Sequence, residues 1–308
     1  MKKTLCLILM MVPFLLIKTS FADINGASFL SEDIGAKSFG MGSASTAIAD
    51  GPCGLVVNPA GISCFISPEI SANYKKNIMD GFNSSIFCVL PIMGAGVLGT
   101  GVALYDQGSI EINYLDGTSE TIKAMQNWVF NLGYGVNIVN ELSVGVNLKA
   151  ISSTLANIYS ATAFASDFGV LYRTWGSSLS LGVSLQNIGT KLTYISDGDP
   201  LPLTLRAGIG YKFRETDIDS WLISGDIIRC GRYRANIGLE CVLFKILSIR
   251  AGYKFRYDPD SLTLGLGFNV SQIKVDYAYS VLGGLDNIHM FSISYAFDTV
   301  KQPEKNTK

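Results

Sequence analysis

With a single histidine, His289, in 308 residues, the chain has no means of building a histidine metal cluster or paired-histidine chemistry. A catalytic triad would have to use that one residue, and it stands at the start of the last predicted strand, where an interfacial or capping role suits it better. There is no C-x-x-C and no Cys/His cluster. Beyond residue 22 the cysteines are Cys53, Cys64, Cys88, Cys230 and Cys241, and an odd number at irregular spacing argues against a disulfide framework. Cys53 and Cys64 bracket a predicted loop and are the pair placed to bridge in an oxidising compartment. A net charge of -1, with only 16% charged residues, gives no reason to expect nucleic acid as a partner. Gly94 to Gly99 matches G-x-G-x-x-G but leads into an alternating strand rather than a helix, so no dinucleotide site is expected. Asp197, Asp199, Glu215, Asp217 and Asp219 fall in predicted loops as solvated turns. The sequence thus calls for no metal, no cofactor and no catalytic residue.

After residue 17 no apolar run reaches the roughly 18 to 20 residues that a spanning helix needs, so membrane residence would have to come from strands. Lys2 and Lys3 precede an apolar stretch from Leu5 to Ile17, and Ser20-Phe21-Ala22 supplies the small residues of a signal-peptidase site. Residues 1–22 therefore read as a cleaved export signal.

What the chain does have is alternation. From Arg232 to Leu243, the residues Tyr233, Ala235, Ile237, Leu239, Cys241 and Leu243 share one face, while Arg232, Arg234, Asn236, Gly238 and Glu240 share the other. A period of two is a strand with two unlike faces. The pattern predicts fourteen strands, near 69–77, 82–91, 94–114, 119–138, 141–157, 160–174, 177–189, 202–214, 218–230, 232–243, 246–257, 260–270, 271–281 and 288–297. Short turns and no intervening helices make neighbours antiparallel, and export plus dyad repeats point to an all-β transmembrane barrel in the outer membrane of a diderm bacterium. Outer-membrane lipid and the barrel insertion machinery are then its first partners.

Apolar residues such as Trp128, Phe130, Leu132, Ile209, Tyr253 and Phe255 face outward, and the polar faces between them are expected to form continuous inward stripes. Inward charges should form a lumen network of Arg206, Asp226, Glu240, Arg250, Lys274 and Asp276, with Lys149, Asp167 and Lys254 on the same side, because Arg or Lys on the lipid face costs about 2 to 4 kcal/mol at mid-depth. Residues 23–65 are Gly, Ala and Ser rich, with breakers at Gly51-Pro52 and Asn58-Pro59 and no alternation. The barrel is expected over 66–297, with a polar tail at 298–308. Phe291, Tyr295 and Phe297 form the closing-strand signal for insertion.

The run Ile34-Gly35-Ala36-Lys37-Ser38-Phe39-Gly40-Met41-Gly42-Ser43-Ala44, then Ala47-Ile48-Ala49-Asp50 and Asn58-Pro59-Ala60-Gly61, resembles the opening of the PorV/PorQ family, which is related to the FadL-type long-chain fatty-acid transporters. Leu203 to Tyr211 and Ile249 to Lys254 resemble its inner strands. Leu264 to Phe268, Asp276 to Tyr279 and His289 to Ser294 resemble its closing strands. The resemblance implies a fourteen-stranded barrel whose segment 23–65 folds into the lumen as a hatch carrying Gly35, Lys37, Met41, Gly42, Asp50, Asn58, Pro59, Ala60 and Gly61. It also implies a component of a type IX-like secretion or surface-attachment pathway, with secretion-system proteins as partners. The alternatives are FadL-like, hatch-gated uptake of a hydrophobic or amphipathic small molecule, and a structural barrel without transport. Lys37 stands where the family usually has Arg, which removes a bidentate contact. Asn58-Pro59-Ala60-Gly61 reads locally as a tight turn with Gly61 at positive φ.

Overall fold

The computed structural model describes residues 26–77, 80–174, 178–257, 260–281 and 287–298. The expected export signal at 1–22 and the tail beyond Asp298 lie outside the described residues. The strands are β1 (Glu69–Lys76), β2 (Phe82–Ile92), β3 (Gly96–Asp106), β4 (Ser109–Asn113), β5 (Ser119–Lys123), β6 (Met125–Val139), β7 (Leu142–Leu155), β8 (Tyr159–Arg173), β9 (Leu179–Gly189), β10 (Leu192–Thr193), β11 (Gly198–Asp199), β12 (Thr204–Glu215), β13 (Asp219–Cys230), β14 (Arg232–Leu243), β15 (Leu247–Phe255), β16 (Ser261–Val270), β17 (Ile273–Val281) and β18 (Ile288–Ala296). Fourteen of them close an antiparallel barrel in sequence order, without β4, β5, β10 and β11. The last strand meets the first from Glu69 opposite Ala296 to Lys76 opposite His289, so no edge is left open in the wall.

The runs 94–114 and 119–138, each expected as one strand, are divided in the structure. β3 and β6 belong to the wall, whereas β4 and β5 form a hairpin beyond it, pairing Ile110 with Ile122. The break is at Gly108, at φ +83, whose N–H donates to the Asp106 carboxylate at 2.8 Å. Alternation continues through Ile110 and Ile112, so period alone could not mark where the wall ends.

Burial is inverted relative to a soluble protein. Phe130 and Leu132 are 53% and 57% exposed on the outer face, while the ionised pair Lys149 and Asp167 is shut inside at 5% and 0%. Only a hydrocarbon surround makes that arrangement favourable. The inward stripes are not polar throughout, as had been expected. Phe87, Val89, Val97, Ala103, Ala161, Ala163 and Ala165 make one side of the lumen apolar, and Phe29, Leu55 and Ile62 of the N-terminal segment pack against it. That segment needs an apolar seat, and β2, β3 and β8 provide one.

Both barrel termini lie at one end. The turns there are short, as at 93–95, 244–246 and 271–272, while the opposite end carries the β4–β5 hairpin and the 190–203 connection. Phe297 follows β18 directly; its N–H donates to Pro68 O at 2.8 Å and its ring meets Tyr295 edge-on at 4.8 Å. It thereby ties the closing strand to the chain entering β1. We expect Phe297→Asp to lower the heat-modifiable, membrane-inserted fraction sharply, whereas removal of residues 299–308 leaves it unchanged. Equal insertion of both variants and the parent would remove Phe297 from this role.

Candidate functional site: the plugged lumen

Residues 26–65 fill the barrel from one end to the other. Gly26 N–H donates to Pro200 O at 3.3 Å, and Ala27 and Phe29 pack with Leu192 and Leu201 of the 190–203 connection, which folds over the mouth. The Phe29 ring lies 5.3 Å from that of Tyr105. From this mouth the chain descends, and it leaves at the end bearing the barrel termini to begin β1.

Short polar backbone in a lumen must find partners at every turn, because each unpaired buried amide costs about 1 to 3 kcal/mol. The wall supplies them. Ala36 N–H donates to Ser292 Oγ at 2.8 Å as the five-residue helix Ala36–Gly40 begins. Gly42, at φ +63, donates to Thr263 Oγ1 at 2.9 Å. Asp226 accepts from Ser45 N–H at 3.1 Å, from Thr46 N–H at 3.0 Å and from Thr46 Oγ1 at 2.6 Å. Arg206 closes this hub: Nη2 donates to Ser43 O at 2.8 Å and to Asp226 at 3.2 Å, and Nε donates to Thr46 Oγ1 at 3.1 Å. Two carboxylate oxygens and one guanidinium therefore hold the middle of the plug.

The Asn58-Pro59-Ala60-Gly61 motif is the cap and first turn of a 3-10 helix, Pro59–Cys64, rather than an isolated tight turn. Asn58 is fully buried; its Nδ2 donates to Thr46 O at 2.9 Å and to Val170 O at 3.2 Å, and its Oδ1 accepts from Ala60 N–H at 3.2 Å. One side chain thus joins two plug segments and the wall. Gly61 does not adopt positive φ; a methyl there would stand 2.8 Å from Ala49 Cβ, so close packing excludes a side chain. Positive φ occurs instead at Gly35, Gly42 and Gly51.

Facing the plug, the wall carries glycines in cross-strand register: Gly135 opposite Gly145, Gly145 opposite Gly169, Gly208 opposite Gly182, Gly238 opposite Gly252. A methyl at Gly145 would lie 2.5 Å from Ala60 N, one at Gly208 2.9 Å from Thr46 Cβ, and one at Gly238 2.8 Å from Met41 Cβ. The wall is therefore cut back where plug backbone passes.

The charges expected as one network form three groups. Arg206 and Asp226 make the hub above. Arg250 donates to Glu240 at 2.7 Å and to Asp276 at 2.5 Å, a triad that joins three wall strands. Lys274 pairs instead with Glu69, at 3.3 Å on the rim. Lys37 and Asp50 pair within the plug at 2.5 Å, with Glu240 3.9 Å from Lys37. Burial alone would lower the Lys37 pKa, but Asp50 and Glu240 outweigh it and hold it above the ordinary lysine value.

Sequence reading missed Glu32, Asp33 and Lys75. Lys75 donates to Glu32 at 2.5 Å, and Lys254 donates to Asp33. Glu32-Asp33 is the adjacent acidic pair of the plug, and two neighbouring carboxylates facing a wall that offers inward lysines were the available signal. Burial would raise the Asp33 carboxyl, yet Lys254, with help from Lys75, takes it down to about 2. A depressed carboxyl contributes stability above its ordinary value of 3.8, and this contribution is lost only as pH falls through about 2. Cys53 and Cys64 are free rather than bridged. Cys64 contacts Arg173, and burial together with Asp50 pushes the Cys53 thiol up to about 12, leaving it inert.

Among the described residues, the space left around the plug falls into separate cavities. A vestibule of about 290 Å³, lined in part by Lys37, Asp50, Glu69, Lys274 and Asp276, opens at the end with the barrel termini. Further in are cavities of about 30 Å³, between plug segments, and about 60 Å³, toward the capped mouth. The smaller has room for about two or three waters.

A sequence model of the family described as type IX secretion system membrane protein PorP/SprF matches residues 93–307. The chain belongs to that family. The PorV/PorQ likeness read from the sequence is thus met at the level of a type IX secretion membrane barrel, under a different family name. No curated protein matches the chain. Among solved structures, the toluene transporter TodX of Pseudomonas putida is 15% identical over 90% of this chain and 99% of its own, with a TM-score of 0.63. The toluene transporter TbuX of Ralstonia pickettii is 13% identical over 87% and 99%, at 0.60. A FadL homologue of Pseudomonas aeruginosa is 12% identical over 85% and 98%, at 0.51. At these identities the likeness is one of fold. This PorP/SprF-family member is accordingly an outer-membrane barrel of FadL-like architecture.

Proposed function

We propose that the protein serves a type IX-like secretion or surface-attachment pathway as a sealed barrel, binding partner proteins rather than conducting solutes. The observation that carries this reading is the seating of the plug, whose backbone runs against wall glycines and whose amides are taken up by Asp226, Ser292 and Thr263. A hatch that opens with each transport cycle would surrender these contacts every time. The vestibule offers partners a recess with as many cations as anions, suited to polar peptide rather than to hydrocarbon.

The runner-up is uptake of hydrophobic molecules, favoured by the apolar side of the lumen, although plug side chains already occupy it. Loss of the protein is expected to remove a subset of exported proteins from the cell surface while leaving uptake of toluene and long-chain fatty acids unchanged. The full-length gene should restore display. Reduced uptake with normal surface display would support transport instead, and no change in either would leave a structural barrel.

A further inference from the structure

The one histidine of the chain, His289, lies on the outer face of the barrel, at the seam where the last strand meets the first. There the outward residues stack in rows across β2, β1, β18 and β17. Phe82, Lys76, His289 and Tyr279 form the row nearest the end with the longer connections. Tyr74, Phe291 and Tyr277 follow beneath it, and Ala72, Ile293 and Val275 beneath them. Their sequence neighbours Lys75, Met290 and Ala278 are buried on the lumenal side.

Polar donors, then aromatics, then aliphatics is the order of environments from headgroup to hydrocarbon. Long connections mark the outward-facing end of such a barrel, so the Lys76 row stands at the headgroups of the outer leaflet. His289 is held in place there: Tyr277 Oη lies 2.8 Å from its Nδ1, and the Tyr279 ring centre is 5.2 Å from its own. With the Tyr277 hydroxyl donating to Nδ1, the imidazole carries its proton on Nε2 and presents a donor. Lys76 stands directly opposite, in a register that sets Cβ atoms about 5 Å apart. It is exposed and has no ion pair among the described residues, Asp80 in the following turn included. At the other end of the same strands the outward row is Ile70, Tyr295 and Ile273, without charge.

We propose that Lys76 and His289 form a docking site for the phosphorylated headgroup of an outer-leaflet glycolipid, whose acyl chains lie along Tyr74, Phe291 and the aliphatic row beneath. A phosphate accepts from the ammonium and the imidazole together, and two donors facing each other with no carboxylate between them are matched by an anion that bridges them. The phosphate thereby clips β1 to β18, the neighbours that close the wall. The site is on the outer face rather than in the lumen and does not depend on the partner-binding role.

The test is native mass spectrometry of the full-length barrel in detergent, titrated with diphosphorylated lipid A and with the same lipid stripped of its phosphates. The phosphorylated lipid is expected to bind about tenfold or more tightly, as the gain of charge-assisted bonds requires. Lys76→Gln and His289→Leu should each weaken this preference and together remove it, whereas Lys76→Arg should keep it. Lys191→Gln, at an exposed cation of the 190–203 connection, should leave it unchanged. Heat-modifiable migration checks that each variant is folded, and the comparison of the two lipids on the parent stands without the variants. Equal affinity for both lipids, a preference that survives the double substitution, or displacement of the lipid by an equal concentration of inorganic phosphate overturns the site.

Discussion

Removal of residues 26–62 is expected to turn a silent barrel into a conducting one in planar bilayers. The intact protein should show only background current, since the free volume among the described residues falls into separate cavities, one of them of only about 30 Å³ between plug segments. The deletion should still insert, for a reason visible in the pairing. Arg206 keeps Asp226, Arg250 keeps Glu240 and Asp276, and Lys149 keeps Asp167, all of which are wall-to-wall ion pairs. Only cations such as Lys75 and Lys254 lose plug carboxylates, and in an emptied lumen water solvates them. The backbone ladder is likewise complete without the plug. Heat-modifiable migration of the deletion variant checks the fold, and stepwise conductance checks the pore. Large steady current through the intact, correctly folded protein would contradict a closed hatch.

The second large effect is expected at Asp226. Replacing it with Ala strands the N–H groups of Ser45 and Thr46 and leaves the Arg206 guanidinium without its counter-ion, all in the middle of the lumen. Breaking a buried pair on one side costs about 3 to 5 kcal/mol. That cost falls on the seated plug rather than on the wall, whose strands stay paired. Hydrogen exchange at Ser45 and Thr46 should therefore accelerate by about a hundredfold or more, with wall amides unchanged. Asp226→Asn, which keeps an acceptor oxygen, should fall between the two. Unaltered exchange at both amides in Asp226→Ala would show that the plug is held elsewhere.

Much of this architecture was legible in the sequence. Alternation survives in a barrel because one face meets lipid and the other does not, so Phe130 and Leu132 had to point away from Asn131 and Gly133. The same logic put Arg206, Arg250 and Asp276 inward. It failed where the constraint changed. Phe87 and Val89 alternate with Ile86 and Cys88 without any contrast in polarity, because that side of the lumen receives the apolar residues of the plug. Glu32 and Asp33 carried no period at all, and only the descent of the plug past Lys75 and Lys254 gives them partners.

Strand number and inward charge were thus determined by the sequence itself, since they rest on local period and on the cost of charge in hydrocarbon, whereas a lumenal hatch was implied there only by the family resemblance. The three-way division of the charges and the role of Gly61 in close packing rather than in a turn were decided by tertiary structure. Each depends on which side chain the plug brings opposite which wall strand, a pairing between residues far apart in the chain that no local pattern encodes.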